Sequence, residues 1–155
     1  KIGVDPYSGG THRMTSDDFF KKNIEKFDCI FIDGLHHYSQ VIKDINNALK
    51  VLNSNGVILI HDCLPNNLTD QLVPRMTLNW NGDVWKALVE CRTKSNLDCY
   101  TCYADWGIGV IFKRKNSNLL TIEQKNFKKL KYNFFFNNYK KLMNIIEFDD
   151  LLKKF

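Results

Sequence analysis

Three aspartates stand where short apolar runs end: Asp5 after Ile2-Gly3-Val4, Asp33 after Phe27 to Ile32, and Asp62 after Val57 to Ile60. Histidines accompany two of them, with His36 and His37 just beyond Asp33 and His61 directly before Asp62. An acid that closes an early strand can accept both hydroxyls of a ribose. Acids that close two neighbouring central strands can converge on one divalent cation through oxygen ligands. A histidine, with an unperturbed pKa of about 6.5, suits proton abstraction from a hydroxyl near neutral pH. A single aspartate means little, because turns are rich in it. The argument rests on all three strand ends together.

The elements that must position these residues can be read from periodicity. Phe27 to Ile32 reads as a buried strand, and Tyr38 to Leu52 as a helix with Val41, Ile45, Ala48, Leu49 and Leu52 at helical spacing. Asn53-Ser54-Asn55-Gly56 ends that helix, and Val57 to Ile60 is a second buried strand. Residues 63–81 read as loop, Asp83 to Thr93 as helix, and Asp98 to Ala104 with Gly109 to Lys113 as strands joined by a turn at Asp105-Trp106-Gly107. Near the start, residues 2–4 and 12–15 suggest short strands, and Ser16 suggests an N-cap for a helix over residues 17–23. Helices are expected over 121–132 and 135–146. The result is an α/β domain over residues 1–114 and a helical extension over 115–155. Its sheet should be mainly parallel, with strands 28–32 and 57–60 as parallel neighbours and an antiparallel edge hairpin, 98–113, beside the latter. In an open sheet of this kind ligands bind beyond the carboxyl ends of the strands, where Asp33 and Asp62 would lie.

The runs FDCIFIDGLHHYSQVIKDINNAL, GVILIHDCLP and NGDVWKA resemble class I S-adenosylmethionine (SAM) dependent methyltransferases whose fourth strand ends in Asp-Gly-x-His. Sugar O-methyltransferases related to the macrocin type are among them. The resemblance implies a Rossmann-like sheet with a reversed last strand and SAM as cofactor. It also implies that Asp5 binds the ribose, Ser16 and Asp17 lie near the adenine, Asp33 and Asp62 hold Mg²⁺ as in metal-dependent members, and His36 is the general base. His61 is open to two roles, a third metal ligand or a donor that orients Asp62. The family's first strand, glycine-rich loop and following helix have no counterpart among these residues. The chain is therefore expected to be a fragment that binds SAM weakly. The expected reaction is methylation of a hydroxyl on a sugar or another small polyhydroxylated acceptor.

Composition bounds the alternatives. The chain has 155 residues, 44% of them hydrophobic and 25% charged, which suits one globular core. No apolar run approaches the roughly 20 residues needed to span a bilayer. The net charge of +5 is uneven: residues 1–112 carry 11 Lys/Arg against 13 Asp/Glu, and residues 113–155 carry 11 against 4. A basic tail suits an acidic partner or nucleic acid. Here Lys128, Lys129, Lys131, Lys140 and Lys141 alternate with Phe127, Leu130, Phe134 and Leu142, which reads as the solvated back of amphipathic helices. Nucleic acid is not expected, and a homo-oligomer is left open. Five cysteines, an odd number, suggest a reducing, cytoplasmic compartment. Cys29 should be buried in its strand, and Cys99 and Cys102 should face opposite sides of theirs. Among the tryptophans, Trp80 is expected to line an acceptor pocket and Trp85 to lie in the core. A metal phosphohydrolase built on His37 with His61-Asp62 is the rival enzyme; it would place the His-Asp pair on a helix. A non-catalytic interaction module is the other rival.

Overall fold

In the computed structural model, which describes residues 1–155, five strands form one sheet: β1 (Phe27–Ile32), β2 (Leu52–Ile60), β3 (Asp98–Cys102), β4 (Ile108–Phe112) and β5 (Ile145–Ile146). Their order is β1-β2-β4-β3-β5. β1 pairs parallel with β2, β4 pairs antiparallel with both β2 and β3, and β5 pairs parallel with β3. Only β4 is therefore reversed; the other strands all run one way. This is a Rossmann-like α/β arrangement with the reversed strand inserted beside β2. The hairpin lies next to β2 as expected, but β5 pairs beyond it, so β3 is not the edge.

Both faces of the sheet are used, and strand alternation assigns the side chains. Ile58, Ile60, Cys99 and Ile111 face the larger core, whereas Val57, Tyr100, Cys102, Val110 and Phe112 face a smaller cluster closed by Leu151. Cys99 and Cys102 thus lie on opposite faces, as a period of two requires. On the larger face, α2 (Tyr38–Val51) buries Val41, Ile45 and Ala48, which share a helical stripe. Each large aliphatic side chain buried in this way contributes roughly 1.5–3 kcal/mol. α3 (Trp85–Arg92) follows, with Trp85 fully buried against Phe135 of α4 (Tyr132–Met143) at a ring separation of 4.8 Å. The smaller face is covered by α5 (Phe148–Leu152) through Leu151.

Several local expectations change. The N-cap of α1 (Ser16–Lys22) is Thr15, whose hydroxyl accepts from the Asp18 amide, so Ser16 is already inside the helix. Residues 2–4 and 12–15 form no strands, only a single bridge between Val4 and His12. β1 is not a buried strand: Cys29 is exposed and Phe31 is 55% exposed, because β1 is the edge of the sheet and one of its faces is uncovered. β2 begins at Leu52 directly from α2, and its register with β1 is irregular between Phe27 and Cys29. The expected helix over 121–132 is reduced to the 3-10 turn Phe127–Lys129, and residues expected at the end of the last helix form β5.

The tail is held by Arg92, whose buried guanidinium donates to the carbonyls of Asn118, Lys141 and Leu142. Lys128, Lys129, Lys131, Lys140 and Lys141 are all exposed while Leu130 and Leu142 are buried; of the two phenylalanines expected on the apolar side, Phe127 is half-buried and Phe134 is exposed. No helix is long and apolar enough to cross a membrane.

Candidate active site at the ends of the first two strands

β1 and β2 are parallel neighbours, so the residues that follow them emerge side by side. The pairing runs one step past β2, where the His61 amide donates to the Ile32 carbonyl at 3.1 Å. Asp33 and His61 are thereby placed together, and Asp62 follows in the left-handed region at φ 64°. That conformation costs a non-glycine residue roughly 1 kcal/mol or more, which neighbouring contacts must offset. One such contact is Asn81, whose Nδ2 donates to Asp62 Oδ1 at 2.6 Å.

The result is a compact group of two carboxylates and two imidazoles. His61 Nδ1 lies 3.3 Å from Asp33 Oδ1 and 3.2 Å from Asp62 Oδ2. His36 Nε2 lies 3.4 Å from Asp33 Oδ1, and its Nδ1 is 3.2 Å from Asp62 Oδ2 and 3.1 Å from the Trp80 carbonyl. One ligand atom from each of Asp33, His61 and Asp62 can be chosen so that all lie within 4.8 Å of one another. That is close enough for the three to share a cation. The other nitrogen of His61, Nε2, is 3.1 Å from Asp105 Oδ2 in the turn between β3 and β4.

Charge and burial act on these groups together. The His36 contact holds the Asp33 carboxyl below the usual carboxylate range, outweighing the effect of burial. Burial pushes Asp62 up, against the lowering effect of both histidines. Burial also pushes both imidazoles down. For His36 it is outweighed by Asp33, the Trp80 carbonyl and Asp62, and for His61 by Asp62, Asp105 and Asp33, so each ends above its ordinary value.

A strap formed by residues 80–83 holds His36 in place. The Trp80 ring stacks on the His36 ring at 5.2 Å and 22°. Trp80 is thus a wall of the site, its indole nitrogen committed to the Leu72 carbonyl at 2.5 Å. The Asp83 amide donates to the His36 carbonyl at 3.1 Å, and Asp83 Oδ1 accepts from the Tyr38 amide at 2.6 Å. His37 occupies the N-cap of α2 without a capping side-chain bond, so Asp83 caps the helix from across the fold. His37 meets only the Trp80 edge, at 5.9 Å, and takes no part in the carboxylate group. The His61-Asp62 pair closes a strand and is not on a helix, contrary to what the phosphohydrolase reading needed.

Asp5, Ser16 and Asp17 are engaged elsewhere. Asp5 Oδ1 accepts from the Tyr7 and Ser8 amides, each at 2.6 Å, and these bonds hold its carboxyl below the usual range. Its Oδ2 makes no hydrogen bond. Ser16 and Asp17 join α1 to α2: Gln40 Nε2 reaches Ser16 Oγ at 3.4 Å and Asp17 Oδ1 at 3.3 Å, and Lys43 pairs with Asp17 Oδ2. Asp17 therefore offers no free carboxylate, whereas Asp5 does.

Sequence reasoning missed Asn81, Asp83 and Asp105. The polar run Asn81-Gly82-Asp83 just before an apolar helix and the strand turn at Asp105 were signals for turns, and their partners lie far away in sequence. Beside Asp105 a cavity of ≈ 250 Å³ opens among Leu64, Asn66, Tyr103 and Trp106.

The fold and this group define an α/β domain whose polar site lies beyond the carboxyl ends of its strands. Residues 8–63 match the family described as a methyltransferase domain. The match includes Ser16, Asp17, Asp33, His36, His61 and Asp62, begins after Asp5, and supports a methyltransferase. No curated protein matches the sequence.

Proposed function

We propose that the chain carries the acceptor-side machinery of a SAM-dependent O-methyltransferase acting on a sugar or other small polyhydroxylated molecule. The observation that carries this reading is the convergence of His36 with Asp33, His61 and Asp62 inside the segment that matches the methyltransferase family.

When bound, SAM supplies a methyl group made electrophilic by its sulfonium. The ionised Asp5, with Oδ2 unspent, would hold the ribose hydroxyls. Ser16 and Asp17, already bonded to α2, would serve the adenine end only by shaping the α1 turn. For the acceptor, His36 Nδ1 faces both the Trp80 carbonyl and Asp62 Oδ2, which favours the tautomer with hydrogen there and leaves Nε2 with a lone pair. His36 Nε2 would take the hydroxyl proton as the oxygen forms its bond to the methyl carbon and the carbon–sulfur bond breaks. Asp33 and Asp62 would hold a divalent cation, Mg²⁺ in the resemblance, that orients the acceptor and lowers its hydroxyl pKa.

The test is transfer of labelled methyl from SAM to a panel of monosaccharides and glycosides by the protein. Methyl ether formation supports the reading. SAM turnover confined to nitrogen or carbon acceptors would replace it.

A further inference from the structure

We infer that the strand-end site selects a borderline transition cation such as Zn²⁺ over Mg²⁺, because His61 is a ligand through Nδ1 and Asp105 holds it in that state. The inference rests on the reading that Asp33 and Asp62 share a cation.

His61 presents its two nitrogens to different surroundings. Nδ1 faces Asp33 Oδ1 and Asp62 Oδ2 at 3.3 and 3.2 Å, and Nε2 faces Asp105 Oδ2 at 3.1 Å. In the neutral ring only one nitrogen carries hydrogen. Without a cation, Nδ1 faces two carboxylates; a cation seated between Asp33 and Asp62 excludes a hydrogen there and leaves it on Nε2, where Asp105 accepts it. The tautomer with hydrogen on Nε2 therefore leaves the Nδ1 lone pair directed toward Asp33 and Asp62. A carboxylate–histidine pair of this kind fixes ring orientation and raises ligand basicity at a metal.

The donor set is then two carboxylate oxygens and one imidazole nitrogen. Mg²⁺ strongly favours oxygen and holds its waters, whereas imidazole suits zinc and other first-row divalent ions. Beside these ligands, Asn81 donates through Nδ2 to Asp62 Oδ1, and its own Oδ1 is buried without any hydrogen-bond partner. An unmet buried acceptor is costly, and a bound cation's water is the group that would satisfy it.

Calorimetric titration of the full chain with Zn²⁺ and separately with Mg²⁺ tests this, read alongside nitrogen-15 NMR of the histidine rings. Zn²⁺ is expected to shift Nδ1 of His61, and His61→Ala to weaken Zn²⁺ at least about tenfold more than Mg²⁺. Asp105→Gly, which suits the positive φ of 38° at that turn, is expected to weaken Zn²⁺ about 10- to 100-fold. His12→Ala, far from these contacts, should leave both affinities unchanged. Equal losses of the two ions in His61→Ala, or a shift at Nε2 in place of Nδ1, would overturn the inference while leaving Asp33 and Asp62 as a cation site. Failure of the unmodified chain to bind either ion would overturn both. The methyltransferase reading would then be judged by SAM binding alone.

Discussion

The Tyr38 amide donates to Asp83 Oδ1 at 2.6 Å, so the helix that follows the site histidines is capped by a residue from across the fold. The same carboxylate accepts from the buried Lys86 through Oδ2 at 3.1 Å, and the Asp83 amide grips the His36 carbonyl. One residue thus links the start of α2 and the start of α3 through its carboxylate, and the backbone of the proposed base through its amide.

Asp83→Ala is expected to destabilise the protein by about 1–3 kcal/mol, from the lost cap and the unpaired buried Lys86. Asp83→Asn should retain much of the cap, since its amide oxygen can still accept. Urea unfolding of both variants measures this; equal losses would show that charge, not capping, is what Asp83 contributes.

Gly82→Ala should be more damaging than its size suggests. Gly82 sits at φ 61°, and an added Cβ would run into the His36 carbonyl. The backbone must shift at the strap that holds His36, so a loss of roughly 1–3 kcal/mol is expected together with loss of methyl transfer. A variant of normal stability and activity would show that the strap yields easily.

His36→Ala should separate cofactor from acceptor chemistry. A base acts on the acceptor hydroxyl, so turnover is expected to fall by about 10²- to 10⁴-fold. SAM affinity should stay within about twofold, because the proposed cofactor contact is made by Asp5 and not by His36. Steady-state kinetics with SAM binding measured in parallel checks both, and unchanged turnover removes His36 from the reaction.

Stability should fall in acid through Asp98. Burial pushes this carboxyl up, but bonds from the Ser117 hydroxyl and amide, Arg114 and Tyr100 outweigh it and leave it below the usual range. A carboxyl depressed in the folded state adds stability above its unfolded pKa of about 3.9, lost as pH falls through the lower folded value. Urea midpoints between pH 6 and pH 2.5 should therefore drop below about pH 4. Asp98→Asn should lower stability near neutrality and flatten that drop. An unchanged slope in the variant would assign it to other carboxylates.

The sequence alone determined the elements whose signals are local. α2 follows from its apolar stripe, and the hairpin follows from two apolar runs about the Asp105 turn. The parallel β1–β2 pair follows from strand–helix–strand order, and with it the meeting of Asp33 and Asp62. Tertiary structure decided what depends on partners far along the chain. His61 meets Asp105, Tyr38 meets Asp83 and Asp62 meets Asn81 only after loops of many residues have closed, and no periodicity records which loop tips will touch. The same holds for burial: Phe27 to Ile32 has the composition of an interior strand, yet Cys29 and Phe31 are exposed because what covers a strand is set by its neighbours. In the tail, Ile145 and Ile146 follow α4 with a helix-compatible sequence. They become β5 because Asn144 takes the left-handed conformation that ends the helix and the free edge of β3 offers hydrogen bonds there. Local side-chain pattern wrote the first set of features; long-range closure and competition for backbone partners wrote the second.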